Sequence, residues 1–227
     1  MAVFILQEFV DELASILEEI KEPTEVKQDN SLDLTKFFDL IRQSSLFNRK
    51  LTAKQVEGIE AKIKTFADAN ASVSHLAYAL ATSYHETARR MQPVREGLDA
   101  SDAWRKRNLR YYPYYGRGDV QLTWEDNYRK ADKKLGLNGA LINNLDLALD
   151  PVISSKIMLR GMTEGWFSAD RQGVRHTLSR HLPRTVGSKA QFTQARRIIN
   201  RMDKAGQIAA YAIIFQTALV EAEYKVR

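Results

Sequence analysis

Apolar residues recur at helical spacing from the start of the chain. Val3, Leu6, Phe9, Val10, Leu13, Ile16, Leu17 and Ile20 fall on one stripe with acids between them. That pattern predicts an amphipathic helix of about five turns, stopped by Pro23. Residues 22–31 are polar and read as a linker. Further helical stretches are predicted over roughly Leu32–Gln43, from Thr52 as N-cap to about Asn70, and from Ser72 as N-cap to about Met91, ahead of Pro93. Between Glu96 and Tyr128 the period is lost, with Gly97, Pro113, Gly116 and Gly118 set among aromatics and arginines. Long irregular segments in compact domains are often functional. Helical patterns return at about Trp124–Leu135, Pro151–Phe167, Phe192–Met202 and Ala205–Tyr224, while residues 168–190 read as a loop rich in Arg and His. Asp119–Thr123 is the best short strand candidate, so the expected class is mainly α.

Charge sharpens this picture. Residues 1–50 carry 10 acidic and 6 basic side chains, whereas residues 51–227 carry 18 acidic and 28 basic ones. A basic body points to a polyanionic partner such as nucleic acid, an anionic envelope polymer or a membrane surface. The chain has no cysteine, which excludes a disulfide scaffold and any thiolate metal site. The longest late apolar run, Ile208–Phe215, is far below the ~20 residues of a membrane span. The first residues lack the basic flank and cleavage pattern of a signal peptide, so the expectation is synthesis in a cytoplasm without one.

Two clusters carry candidate chemistry. His85-Glu86-Thr87 ends the helix that Ser72 opens, and Glu86 lies nearly opposite its apolar stripe, among Ala79, Thr82 and Ser83. The plain reading is a solvated carboxylate paired with Arg89 or Arg90. The functional reading is a cleft wall, small enough for a substrate to approach the backbone. Glu96 follows beyond Pro93, and two carboxylates on separate elements are what glycoside hydrolysis requires, with Asp99 and Asp102 competing for the second role. A zinc site fails on spacing, because Arg89 stands where a second histidine belongs and His75, His176 and His181 offer no ligand pattern. No metal or cofactor is expected. The second cluster, Trp104 to Gly118, mixes bases with aromatics. It suits single-stranded nucleic acid, a sugar polymer or a buried aromatic satellite. Asp119 after Gly118 breaks the RNA-recognition signature.

Taken together, His85-Glu86-Thr87, Glu96 and the run Tyr115-Gly116-Arg117-Gly118-Asp119-Val120-Gln121-Leu122-Thr123-Trp124-Glu125-Asp126-Asn127-Tyr128 resemble glycoside hydrolase family 19. That family contains chitinases and chitinase-like bacteriophage lysozymes. Ala195–Asn200 resembles its later substrate-binding stretch, and the resemblance covers roughly residues 50–225. It implies a two-lobed, lysozyme-like, mainly α fold; residues 1–30, read from their pattern as an N-terminal helix and linker, fall outside the resemblance, and 31–227 are expected to form the catalytic domain. It implies Glu86 as general acid, Glu96 as general base and Thr123 as the holder of the attacking water. It also implies His85, Tyr115, Arg117, Gln121, Trp124, Asn127 and Asn200 as sugar-binding residues. Inversion would set the two carboxyls roughly 6.5–9.5 Å apart. Arg95 is expected to keep Glu96 ionised, and either Arg89 and Arg90 point away from Glu86 or burial outweighs their charge.

Without cysteines or a signal, peptidoglycan is favoured over chitin, in an endolysin that reaches the cell wall after release. The alternatives are a chitinase and a non-catalytic glycan- or nucleic-acid-binding protein. Nucleic acid and a membrane span are not expected. Residues 3–20 are expected either to pack on the body or to dock on a second copy or partner.

Overall fold

The computed structural model describes residues 32–225, so the stripe at residues 3–20 and the linker at residues 22–31 lie outside the described residues. The mainly α expectation holds. Helices α1 (Leu34–Gln43), α2 (Ala53–Asp68) and α3 (Val73–Glu86) come first. The irregular segment contains strands β1 (Val94–Arg95) and β2 (Arg117–Gly118) and a short helix α4 (Asp102–Asn108). Then follow α5 (Glu125–Leu135), α6 (Ala140–Asn143), α7 (Pro151–Glu164), α8 (Leu178–His181), α9 (Lys189–Ala195), α10 (Arg197–Asn200) and α11 (Ala205–Glu221).

Local chemistry explains the boundaries. The Thr52 hydroxyl accepts from Gln55 N while the Gln55 side chain accepts from Thr52 N, a reciprocal cap that starts α2. Ser72 caps α3 through His75 N, and Asp150 caps α7 ahead of Pro151. Gly165 ends α7 at φ 69°; a Cβ there would stand 2.6 Å from the Arg175 Cβ.

Helix α3 is the hub. From Val73 to Tyr84 nearly every side chain is buried, and α11 lies along it. Ala77, Ala79 and Ala81 on α3 and Ala205, Ala209 and Ala212 on α11 are all buried, which lets the two backbones approach closely. Tyr84 meets Phe47, Tyr211 and Phe215 edge to face at 4.8, 4.8 and 6.3 Å, joining the loop after α1 to α11. The buried Tyr78 donates from its hydroxyl to Ala195 O at 2.9 Å, and Gln216 holds Gly187 through both its amide atoms.

Several sequence expectations change. Helix α3 ends at Glu86, five residues before Met91, because Ala88, Arg89 and Met91 take positive φ and turn the chain toward β1. Asp119–Thr123 is a tight turn, not a strand, and the antiparallel pair is β1–β2, with Val94 opposite Gly118 and Arg95 opposite Arg117. Ala79, Thr82 and Ser83 are fully buried, so they do not form a cleft wall; only the C-terminal end of α3 reaches the surface. The expected helix over Phe192–Met202 breaks in two at Arg196.

One buried charge cluster ties the irregular segment to the helices. Lys62 on α2 and Asp119 in the turn after β2, both fully buried, pair at 2.8 Å. Asp119 also accepts from Ser83 on α3 (2.7 Å) and Ser154 on α7 (2.6 Å). Lys62 donates its other protons to Gly58 O and Met91 O. Gly58 is required beside it, since a Cβ there would come within 1.9 Å of Met91 O. Four elements therefore meet at one fully hydrogen-bonded ion pair, which fixes where the segment sits.

Candidate active site

Glu86 occupies the last position of α3 and is partly exposed. Its Oε1 accepts from Arg196 Nη1 at 2.7 Å, and Arg196 is buried to 1% exposure. Arg196 also donates from Nε to Asp203 O at 2.8 Å, which braces the turn after α10. Arg89 and Arg90 are exposed, and Arg90 reaches Asp99 instead. The plain reading of Glu86 as a solvated residue paired one turn on is therefore corrected: its partner is 110 residues away.

Glu96 extends the β1–β2 pairing by one position, its N–H donating to Gly116 O at 2.7 Å. Its carboxylate accepts from Tyr111 Oη at 2.8 Å and from Gly116 N at 2.9 Å. The Tyr111 hydroxyl is correspondingly held above its usual pKa, first by burial and then by this bond. Arg95 does not serve Glu96 as expected. Alternation along the strand sends it to Asp146 at 2.6 Å. Asp99 is exposed beside Arg90, and Asp102 accepts from Tyr112.

Gly116 makes the Glu96 cradle possible. A Cβ there would lie 2.8 Å from Gln121 Oε1 and 3.1 Å from Glu96 Oε2, so those two side chains converge on one point. Gln121, at φ 52°, donates from Nε2 to Val94 O and Gly118 O, leaving its oxygen toward Glu96. Thr123 Oγ1 donates to Gln121 O at 2.7 Å, and Asn127 Nδ2 donates to Thr123 O at 2.8 Å. Trp124 is 46% exposed at φ 75°, its ring edge against Tyr111 at 4.8 Å and Arg110 over its face at 5.1 Å.

The remaining candidates divide. Tyr115 and Arg117, expected to contact sugar, are buried to 3% and 5% and serve as framework. Arg117 stacks 3.7 Å over the Tyr115 ring and donates to Asp146, Pro113 O, Tyr115 O and Tyr128 Oη. His85 is half-buried in a cavity of about 200 Å³ with Tyr84, Arg89 and Tyr211. Burial, then Arg196 and Lys204 against Glu86 and Asp203, holds its pKa below the ordinary value. Asn200 is exposed at the end of α10, four residues past Arg196.

Sequence reasoning passed over Tyr111, Asp146 and Arg196. Arg196 did leave a signal: it shares an i, i+3, i+4, i+7 stripe with Phe192, Ala195 and Ile199, where a charge implies a buried partner. Among the described residues no group of three or more His, Asp or Glu side chains is placed to hold a metal ion. No helix among them is long and apolar enough to cross a membrane.

The fold and part of the sequence are similar to those of chitinases. Residues 68–177 match the family model described as chitinase class I, of glycoside hydrolase family 19, which bears out the resemblance drawn from the motifs. Among curated relatives, the acidic 26 kDa endochitinase of Solanum lycopersicum is 52% identical over 44 residues, 19% of this chain and 17% of that protein. Chitinase 8 of Oryza sativa subsp. japonica is 44% identical over 62 residues, 27% of this chain and 21% of that protein. An inactive chitinase-like protein of Hevea brasiliensis is 54% identical over 44 residues, 19% of this chain and 13% of that protein. The chain thus spans about a fifth or less of the curated relatives' length. Among solved structures, chitinase C from Streptomyces griseus superposes with a TM-score of 0.56 at 19% identity, over 85% of this chain and 78% of that one. A bacterial family 19 chitinase superposes at 0.50 and 19% identity, over 86% and 97%. The fold is theirs; at that identity nothing further is carried across.

Proposed function

We propose that this protein hydrolyses β-1,4 bonds of an N-acetylglucosamine polymer with inversion, Glu86 acting as general acid and Glu96 as general base. The observation that carries the reading is the pair of differently held carboxylates. Glu86 has one oxygen braced by Arg196 and the other without a protein donor among the described residues, and that second oxygen is the one proposed to pass a proton to the leaving oxygen. Glu96 has one oxygen on the Tyr111 hydroxyl and the other on the Gly116 N–H, which fix the orientation of the carboxylate that acts as base. The Thr123 proton is committed to Gln121 O, so its lone pairs remain to accept from a water whose other proton goes to Glu96. Trp124, with Arg110 behind it, offers an exposed apolar face for a sugar ring. Gln121, Asn127, Asn200 and His85 are proposed to contact the glycan.

The named relatives and structural neighbours are chitinases, which supports a chitin-like glycan as substrate over peptidoglycan. A match to a relative named inactive means that local identity in this segment does not by itself carry activity. The claim rests on the carboxylates. The test is turnover of chitohexaose with product anomers followed by NMR. Glu86→Gln and Glu96→Gln are each expected to lose about 10²–10⁴-fold in kcat, with α-anomer product from the unaltered enzyme. Near-full activity in Glu96→Gln, together with a dead Asp99→Asn or Asp102→Asn, would move the base to another residue. Full activity in Glu86→Gln would end the reading.

A further inference from the structure

Residues 170–204 hold nine basic side chains against two acidic ones, Asp170 and Asp203, which is seven of the ten excess positive charges of residues 51–227. Apart from Arg196, which holds Glu86, this charge has no part in the hydrolase reading. The fold gathers much of it around one cavity of about 800 Å³, lined among others by Arg171, Arg180, Arg197, Arg201, His176 and His181. Asp170 is the one carboxylate in that lining, and it is committed. Its Oδ1 accepts from the N–H groups of Gln172 and Val174, and its Oδ2 from Arg180 at 2.7 Å. Arg180 is committed in turn, since it also donates to the carbonyls of Val174 and Arg175. Three guanidinium groups remain. Arg171 and Arg201 make no ion pair among the described residues, and Arg197 donates to the neutral Gln194. Like charges around one cavity repel unless an anion comes between them.

The cavity has a built wall. The hairpin at residues 168–176 closes through His176 N to Ser168 O at 3.0 Å and the pairing of Ala169 with Arg175, and Arg180 pins it from α8. The His176 and His181 rings stack at 5.0 Å and share a hydrogen bond of 2.9 Å, so one of the two bonded nitrogens must accept and the pair cannot be charged at both rings. Burial first, and then positive neighbours that include Arg180 and Arg197, hold both rings below the usual histidine pKa. The free positive charge is therefore that of Arg171 on the hairpin, Arg197 on α10 and Arg201 in the turn after it. A carboxylate is planar, with two oxygens and a single charge, and satisfies one guanidinium fork. A phosphate group presents its oxygens as a tetrahedron and carries nearly two charges as a monoester, which suits forks that come from separate places in the chain. No Trp, Tyr or Phe lines the cavity, so it lacks the stacking platform that single-stranded nucleic acid uses.

We propose that this cavity binds a phosphate group, free or esterified, through Arg171, Arg197 and Arg201. The site stands apart from the carboxylate pair, and the inference does not depend on the hydrolase reading. The four histidines of the chain make the test local, because His176 and His181 line the cavity while His75 and His85 do not. Inorganic phosphate is titrated into the full-length protein near neutral pH at constant ionic strength, with the histidine ring signals followed by proton NMR. The His176 and His181 signals, assigned through single His→Gln variants, are expected to move and saturate together while those of His75 and His85 stay in place. Acetate is expected to bind at least about tenfold more weakly, as the loss of one charge-assisted hydrogen bond implies. Arg171→Ala/Arg201→Ala is expected to weaken phosphate binding by at least about tenfold, and lysine at both positions to recover part of it, keeping the charge without the fork. A glycerol phosphate oligomer identifies the source. Tighter binding per phosphate than inorganic phosphate assigns a phosphodiester chain, and equal binding assigns a small phosphorylated compound. The proposal is overturned if phosphate leaves the His176 and His181 signals unmoved or moves only His85. Equal affinity for acetate overturns it too, as does an unchanged affinity in the folded alanine variant. The ring-signal and acetate measurements need no variant, so the proposal can fail even if the double substitution does not fold.

Discussion

Replacing Lys62 with methionine tests whether the buried ion pair holds the active-site segment in place. The side chain is fully buried, and its ammonium touches Asp119 at 2.8 Å and the carbonyls of Gly58 and Met91 at 3.1 and 3.0 Å. Methionine fills similar volume, so little cavity term enters. What remains is an Asp119 carboxylate with only the Ser83 and Ser154 hydroxyls, in a place water does not reach. Removing one partner of a buried pair costs about 3–5 kcal/mol, because the other charge is left uncompensated. For a domain of this size each kcal/mol lowers Tm by about 2–4 °C, so a fall of roughly 6–20 °C is expected. Adding Asp119→Asn removes the stranded charge while keeping a group the two serines can bond, and most of the loss is expected to return. Calorimetry or urea titration of the single and double variants, with chitohexaose turnover at 25 °C, measures both halves. A single variant within about 1 kcal/mol of the parent refutes the argument, since it lies far below any stranded-charge penalty. So does a double variant no better than the single.

Five further outcomes follow from the structure. Gly116→Ala would push its Cβ into Glu96 Oε2 and Gln121 Oε1, and kcat/KM on chitohexaose is expected to fall about 10–100-fold, as small misplacements at reacting groups do, with little change in Tm. Tyr111→Phe removes one of the two donors that orient Glu96, and kcat on chitohexaose is expected to fall at least about tenfold, as loss of one charge-assisted hydrogen bond implies; an unchanged kcat would argue against Glu96 as the base. Arg196→Met is expected to cost more stability than any exposed arginine, read by urea denaturation, since it strands both Glu86 and the Asp203 carbonyl. His181, held at about 4 by burial and then by the charges of His176, Arg180 and Arg197, binds its proton more weakly folded than unfolded, where its pKa is 6.5. Its contribution to stability is therefore full above pH 6.5 and lost as pH falls to about 4, and His181→Phe is expected to flatten Tm against pH across that window. Glu164 gives a separate window. Burial alone would raise its pKa, but Lys134, Trp166 and Arg160 hold it at about 2, so its contribution is lost between pH 4.5 and about 2.

The amino-acid sequence by itself determined the helices whose signals are local. Thr52 with Gln55, Ser72 and Asp150 with Pro151 mark helix starts by contacts three residues long, and these stand where the pattern places them. It also carried the motif around Glu86 and Glu96, because the residue types and their order along one stretch of chain are read directly from the sequence. What the tertiary structure decided is which group meets which carboxylate. Glu86 takes Arg196 instead of its neighbours Arg89 and Arg90, and Arg95 takes Asp146, 51 residues on, instead of adjacent Glu96. The reason is geometric: side chains of adjacent residues in a strand point to opposite faces, and the end of a helix faces whatever packs across it. Lys62 and Arg196 both stand on apolar stripes, Ile59-Lys62-Ile63-Phe66 and Phe192-Ala195-Arg196-Ile199, so the pattern marks each as buried. It names no partner for either. Asp119 and Glu86 are 57 and 110 positions away; α2, α3 and α7 around the turn after β2 make the first pair, and the end of α3 meeting the residue after α9 makes the second.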